Sequence, residues 1–180
     1  MRSDTPALSY IEDLAISWQS GSHSAFEKLY ELFTSRVYRF VLVRIGNHDD
    51  AQDITSETWK TVFVYIPSYK RGNFRAFLFR IAYTQLIAHV RRNKKTSSLD
   101  EALEIKSKNV SFEDQLAQKE EIERVYQALN RLPEMYKEIL LLRLMEGFSI
   151  VETAKILGKS SVMIRVTQHR AVKKVKELLT

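Results

Sequence analysis

Apolar side chains recur at three- and four-residue steps along almost the whole chain, the spacing of helices that each bury one face. Ser24, with Glu27 three residues on, reads as a capping box that opens a helix. Its stripe runs through Phe26, Leu29, Tyr30, Phe33, Val37, Phe40, Val41 and Ile45, and Gly46-Asn47 stops it. A second helix is expected from about Asp49 to Ile66, because Pro67 cannot continue it. Ser68 to Gly72 reads as a basic loop. Asn73 then caps a third helix, with Phe74, Phe77, Leu78, Ile81, Ala82 and Leu86 on one face.

Lys94 to Val110 is polar and weakly periodic, the pattern of a linker. A helix is expected from Ser111 to about Asn130, and another from Leu132-Pro133 to Gly147. Ser149 and Glu152 make a second capping box, whose short helix ends at Gly158. A last helix begins near Ser161 and runs to the C-terminus. The fold class is all-α: two small helical domains, 1–95 and 113–180, joined by a flexible acidic linker over 96–112.

Charge sharpens this division. Thr58 to Leu99 contains no acid but nine basic residues, whereas Asp100 to Arg124 carries eight acids against four bases. Gly158 to Lys176 is again free of acid. Two basic blocks around an acidic one suit two polyanion-facing modules and a connector, with a formal net charge of +6. The absence of cysteine excludes disulfides and thiolate metal sites, and a reducing compartment such as the cytoplasm is expected. Nothing near Met1 resembles a signal peptide, and no apolar run is long enough for membrane insertion.

Three positions near the C-terminus carry a mechanical meaning. Ala154, Gly158 and Ile164 fit the small crossing residue, the positive-φ turn and the apolar anchor of a helix-turn-helix. Leu157, Ala171, Val175 and Leu178 extend the buried stripe. Ser161, Arg165, Thr167, Gln168, Arg170, Lys173 and Lys174 remain to face nucleic acid, the first turns toward base edges and the flanking cations toward phosphates. A merely solvated hairpin would mix charge signs here.

The N-terminal half holds two further constellations. In "DAQDITSETW" the carboxylates Asp50, Asp53 and Glu57 share one helical face. One face without a histidine pair or a glycine-rich loop is a poor metal cage, so no metal or other cofactor is expected. A solvated face is the plain alternative to a docking surface for a basic protein. In "PSYKRGNFRAFLFRIAYT" aromatics alternate with cations, which suits base stacking beside phosphate contacts. Phe77, Leu78 and Ile81 read as core. Tyr69 and Asn73, on or beside the loop, read as contacts for an unpaired base.

In this order and spacing, "AFEKLYELFTSRVYRFV", "DDAQDITSETW", "FRAFLFRIAYTQLIAHVRR" and the stretch from Leu132 to Leu179 resemble a bacterial sigma factor of the compact extracytoplasmic-function (ECF) type. The resemblance implies a promoter-specificity subunit and no catalysis by this chain. Asp50, Asp53, Ile54 and Glu57 would dock on core RNA polymerase. Tyr69, Lys70, Arg71, Asn73, Phe74, Arg75, Arg80, Tyr83 and Thr84 would open and read the minus-ten element on the non-template strand. Arg165, Thr167, Gln168 and Arg170 would enter the major groove of the minus-thirty-five element in duplex promoter DNA. Anti-sigma factors typically cover these faces in such proteins, and no residue here calls for one.

The chain departs from the family pattern at Ser56, where many relatives have glutamine, and at Thr84 and Ala88, where asparagine and aspartate are common. Val162, Met163 and Val166 replace small or polar residues at the start of the recognition helix. The alternative is a stand-alone helix-turn-helix regulator, which would need neither the acidic docking face nor the aromatic-basic loop. Dispersed histidines and the lack of a phosphate loop or metal-ligand spacing argue against an enzyme.

Overall fold

A computed structural model describes residues 7–97, 129 and 131–179. The described residues contain helices and no strand: α1 (Leu8–Gln19), α2 (His23–Ile45), α3 (His48–Tyr65), α4 (Phe74–Ser97), α5 (Glu134–Leu140), α6 (Ile150–Leu157) and α7 (Ser161–Leu179). A single 3-10 turn, Ile66–Ser68, follows α3, and a π-helical stretch, Leu141–Met145, continues α5. The linker pattern read from Lys94 gives way to helix as far as Ser97, the end of α4; the rest of the expected linker to 112 and the expected helix from Ser111 to Asn130 lie outside the described residues, apart from position 129.

Local chemistry sets most helix ends. The α2 cap is Ser22, whose hydroxyl accepts from the Ala25 N–H, rather than Ser24; the helix begins two residues earlier than the Ser24–Glu27 pair suggests. Gly46 closes α2 at φ 72°, a conformation that costs glycine nothing. Asn47, one residue beyond that turn, caps α3 through the Asp50 N–H. Asn73 caps α4 as expected, accepting from the Ala76 N–H at 3.0 Å. The Ser149–Glu152 capping box on α6 is complete in both directions.

The first helix, α1, has no counterpart among the elements read from the sequence. It packs Ile11, Leu14, Ala15 and Trp18 against α2 and α4, and the Trp18 ring also meets Phe63 of α3. Its buried Glu12 holds the loop between α3 and α4: one carboxylate oxygen accepts from the Tyr69 hydroxyl at 2.8 Å and the Gly72 N–H at 2.9 Å, and the other accepts from the Phe74 N–H. Gln19 adds three bonds to the carbonyls of Ile66, Pro67 and Tyr69. Loop donors that would otherwise be buried without partners are thereby satisfied.

Residues of α1–α4 form the first module and residues 131–179 the second. Their cores are continuous. Ile139, Leu141, Leu142, Phe148, Ala154, Ile156, Leu157 and Ile164 belong to the same apolar cluster as Phe33, Phe40, Phe74 and Phe79. A smaller cluster around Leu129, Leu132, Leu140 and Ala171 joins α5 to α7.

Glu12→Gln should lower the free energy of unfolding by about 1–3 kcal/mol, because one amide oxygen cannot replace two charged acceptors. Urea denaturation of the full chain measures this, and an unchanged midpoint at constant slope would remove the clamp assigned to Glu12.

Candidate nucleic-acid interface

Ser149 opens α6, Gly158 turns the chain at φ 64°, and α7 packs back on α6 with the fully buried Ile164 in the same core cluster as Ala154. The spacing read as a helix-turn-helix therefore has the geometry it requires. Since Ile164 and Ala171 face inward, the 3.6-residue period directs Val162, Val166, His169 and Lys173 outward, with Arg165 and Arg170 on their flanks. Ser161, Thr167 and Gln168 sit at the edge of the buried seam and are half-buried. Gln168 also accepts a hydrogen bond from Arg143 Nε at 2.9 Å, and Arg143 donates as well to the Phe148 carbonyl. Arg165, Arg170, Lys173 and Lys174 are exposed; Lys174 pairs with Glu177 one turn on. His169, absent from the set chosen on the sequence, stands at the centre of the outer face; the same period would have placed it there.

On the first module, Asp53 and Glu57 are exposed on α3, with Lys60 beside Glu57 at 3.4 Å. Asp50 is half-exposed and lies 3.4 Å from His89 Nε2. Ile54 differs from the expectation: it is buried in the core, since its place on the helix faces α2 and α4, and can only support the docking face from behind. Farther along α3 the exposed face becomes apolar, with Phe63 58% and Val64 71% exposed. Trp18, Phe26 and Trp59 form an aromatic group beside it, with the exposed Tyr30 at its edge.

The loop before α4 also differs from its reading. Tyr69 and Phe74 are buried rather than available for stacking, because their rings pack edge to face and Glu12 holds the tyrosine hydroxyl. Burial, together with that carboxylate, pushes the Tyr69 phenol well above its ordinary range. Lys70 and Arg71 remain outside, Arg71 in an exposed pair with Asp13.

Four other residues expected to contact the minus-ten element face the second module instead. Asn73 donates to the Glu152 carboxylate. Arg75 is buried, donates to the Glu146 carbonyl and lies over the Phe148 ring, 4.6 Å from its centroid. Arg80 Nη1 donates to the carbonyls of Lys155 (3.0 Å) and Ile156 (2.7 Å), at the carboxyl end of α6. Tyr83 is half-buried beside Glu138, and its phenol is raised by burial and by that carboxylate. Thr84 stays exposed, its hydroxyl turned back to the Arg80 carbonyl.

Ion pairs frame this contact. Arg36 meets Glu146 at 2.6 Å and Arg44 meets Glu138 at 3.0 Å, all four side chains largely buried; Arg44 also reaches Glu134. Burial raises the Glu138 carboxyl, only partly offset by Arg44. Burial acts on Glu152 in the same sense, but the Ser149 N–H and hydroxyl, Arg75 and Asn73 outweigh it and hold that carboxyl low. Among the described residues no group of three or more histidines and carboxylates could hold a metal, and no helix is long and apolar enough to cross a membrane.

Known proteins match this organisation. The family description "Sigma-70 region 2" matches residues 29–96, and "Sigma-70, region 4" matches residues 122–175. The chain is 31% identical over 165 residues to the ECF RNA polymerase sigma factor BldN of Streptomyces coelicolor, covering 89% of this chain and 62% of that protein's length. It is 30% identical to the ECF sigma factor SigD of Mycobacterium tuberculosis (88% and 78% coverage) and 27% identical to SigM of Bacillus subtilis (84% and 93%). Among solved structures, the sigma factor RpoE of Bartonella quintana, in complex with the anti-sigma factor NepR, shares the fold with a TM-score of 0.77 at 23% identity (86% and 96% coverage). CnrH, solved with the cytosolic domain of CnrY, gives 0.68 at 22% identity (94% and 97%). With region 2 in its first module, region 4 in its second and ECF relatives along most of its length, the chain belongs to the ECF RNA polymerase sigma factors of the sigma-70 family.

Proposed function

We propose that this chain binds core RNA polymerase and directs initiation at promoters with minus-ten and minus-thirty-five elements, through three separate surfaces. The observation that carries this is the pairing of an exposed acidic edge on α3 with an outward basic α7 in one chain that holds both sigma regions. Asp50, Asp53 and Glu57 form the polymerase-facing edge, and the apolar surface at Phe63 and Val64 extends it. Lys70, Arg71 and Thr84 are open to the minus-ten element, Asn73, Arg75, Arg80 and Tyr83 serve it once the second module has moved off α4, and Tyr69 and Phe74 shape the loop from inside. Arg165, Arg170, Lys173 and Lys174 serve the upstream element, with Ser161 and Thr167 at its margin.

Each DNA contact alone is weak and salt-sensitive, because phosphate neutralisation dominates it. Holding both modules on one polymerase makes the second contact intramolecular and converts two weak readings into one selective one. No catalytic step is assigned to the chain, and a cytoplasmic setting follows from the role. A stand-alone regulator gains no support, since both regions are present.

Asp53→Lys with Glu57→Lys should weaken binding to core polymerase at least tenfold while leaving the free chain's affinity for duplex DNA within twofold. Both positions are exposed, so charge and not packing is altered. Pull-down and filter-binding titrations measure the two quantities, and equal retention of both affinities would remove α3 as the docking face. Within the holoenzyme, Arg165→Ala should cost about 1–3 kcal/mol at the preferred upstream element and relax selectivity there. Lys173→Ala should weaken all sequences alike and reduce the salt slope by about one. Competition binding over a randomised upstream element separates these outcomes; identical, sequence-independent losses would place the recognition face elsewhere.

A further inference from the structure

The outward face of α7 begins with apolar side chains. Val162 is 72% and Val166 44% exposed, one turn apart and opposite the buried Ile164. Single exposed apolar residues are ordinary on protein surfaces. This pair is unusual in position, since it occupies the outermost part of the helix end that a helix-turn-helix lowers onto base edges. The polar residues that would otherwise read bases there are turned aside: Gln168 is held by Arg143, and Thr167 is half-buried. Arg165 stands beside the valines, and Arg170 and Lys173 continue toward the backbone.

We propose that Val162 and Val166 read the C5-methyl groups of thymine in the minus-thirty-five element, with Arg165 bonding an adjacent guanine. In the major groove the thymine methyl is the apolar feature that distinguishes base pairs, and a branched aliphatic chain packs on it without any hydrogen bond. The inference rests on the proposed promoter-reading role. It is tested with holoenzyme on a promoter selected from a randomised library, replacing each upstream thymine by deoxyuridine, which removes only the methyl. Burial of one methyl corresponds to about a fourfold affinity change. The native chain should lose about that much at each contacted position, the Val162→Ala, Val166→Ala variant should be indifferent, and Val162→Ile with Val166→Ile should retain the sensitivity. Selection of an upstream element that tolerates deoxyuridine throughout would overturn the methyl reading and leave the sigma role intact. Failure to select any upstream element would overturn both.

Discussion

Two guanidinium groups inside the protein have to be partnered, and much of the architecture follows from how they are. Arg36 and Arg75 enter the space between the modules, where water is largely excluded; burial and the neighbouring Arg36 charge both act to lower the Arg75 pKa. Glu146 serves both, its carboxylate for Arg36 and its carbonyl for Arg75. It can do so because the π-helical stretch ends there, so that its carbonyl has left the regular helical ladder. The next turn, at Gly147, brings Phe148 under Arg75 and against Phe79. Charge pairing and apolar packing are thus fixed by three consecutive residues, and neither can be altered without disturbing the other.

The α-helical fold was legible because its signals are local. Proline, glycine and capping side chains act within a few residues, so both ends of α3 and α6 and the starts of α4 and α7 could be read to within about two residues, whereas α4 runs to Ser97, past the Lys94 at which the linker pattern begins. Ser22 was missed because two serines compete for one cap, and a sequence does not show which hydroxyl meets the free N–H. The first helix was overlooked although Ile11, Leu14, Ala15 and Trp18 have helical spacing. Its role for Glu12 was not readable at all, since that carboxylate acts on residues 57 to 62 positions away.

The candidate site divides along the same line. Outward cations on α7 follow from periodicity once Ile164 is taken as the anchor, and the same periodicity yields Val162, Val166 and His169. Ile54, Tyr69 and Phe74 were expected at contact surfaces and are buried, because a residue type consistent with function is equally consistent with a core, and only tertiary packing decides between them. Arg75 and Arg80 of α4 were read as following nucleic-acid phosphates. In the structure both donate to backbone carbonyls of the same chain, acceptors that an arginine can bond as it would those of a nucleic acid.

Gly158 shows what such economy implies. Its φ of 64° makes the turn between the two helices, and a Cβ added there would come within 3.1 Å of Arg80 Nη1. One position thereby sets both the angle at which α7 is presented and how closely the carboxyl end of α6 sits on α4. Drift at this residue would be felt twice, in sequence preference and in the readiness of the molecule to act. Those two traits, which in a modular protein could be tuned by separate mutations, are here inherited together.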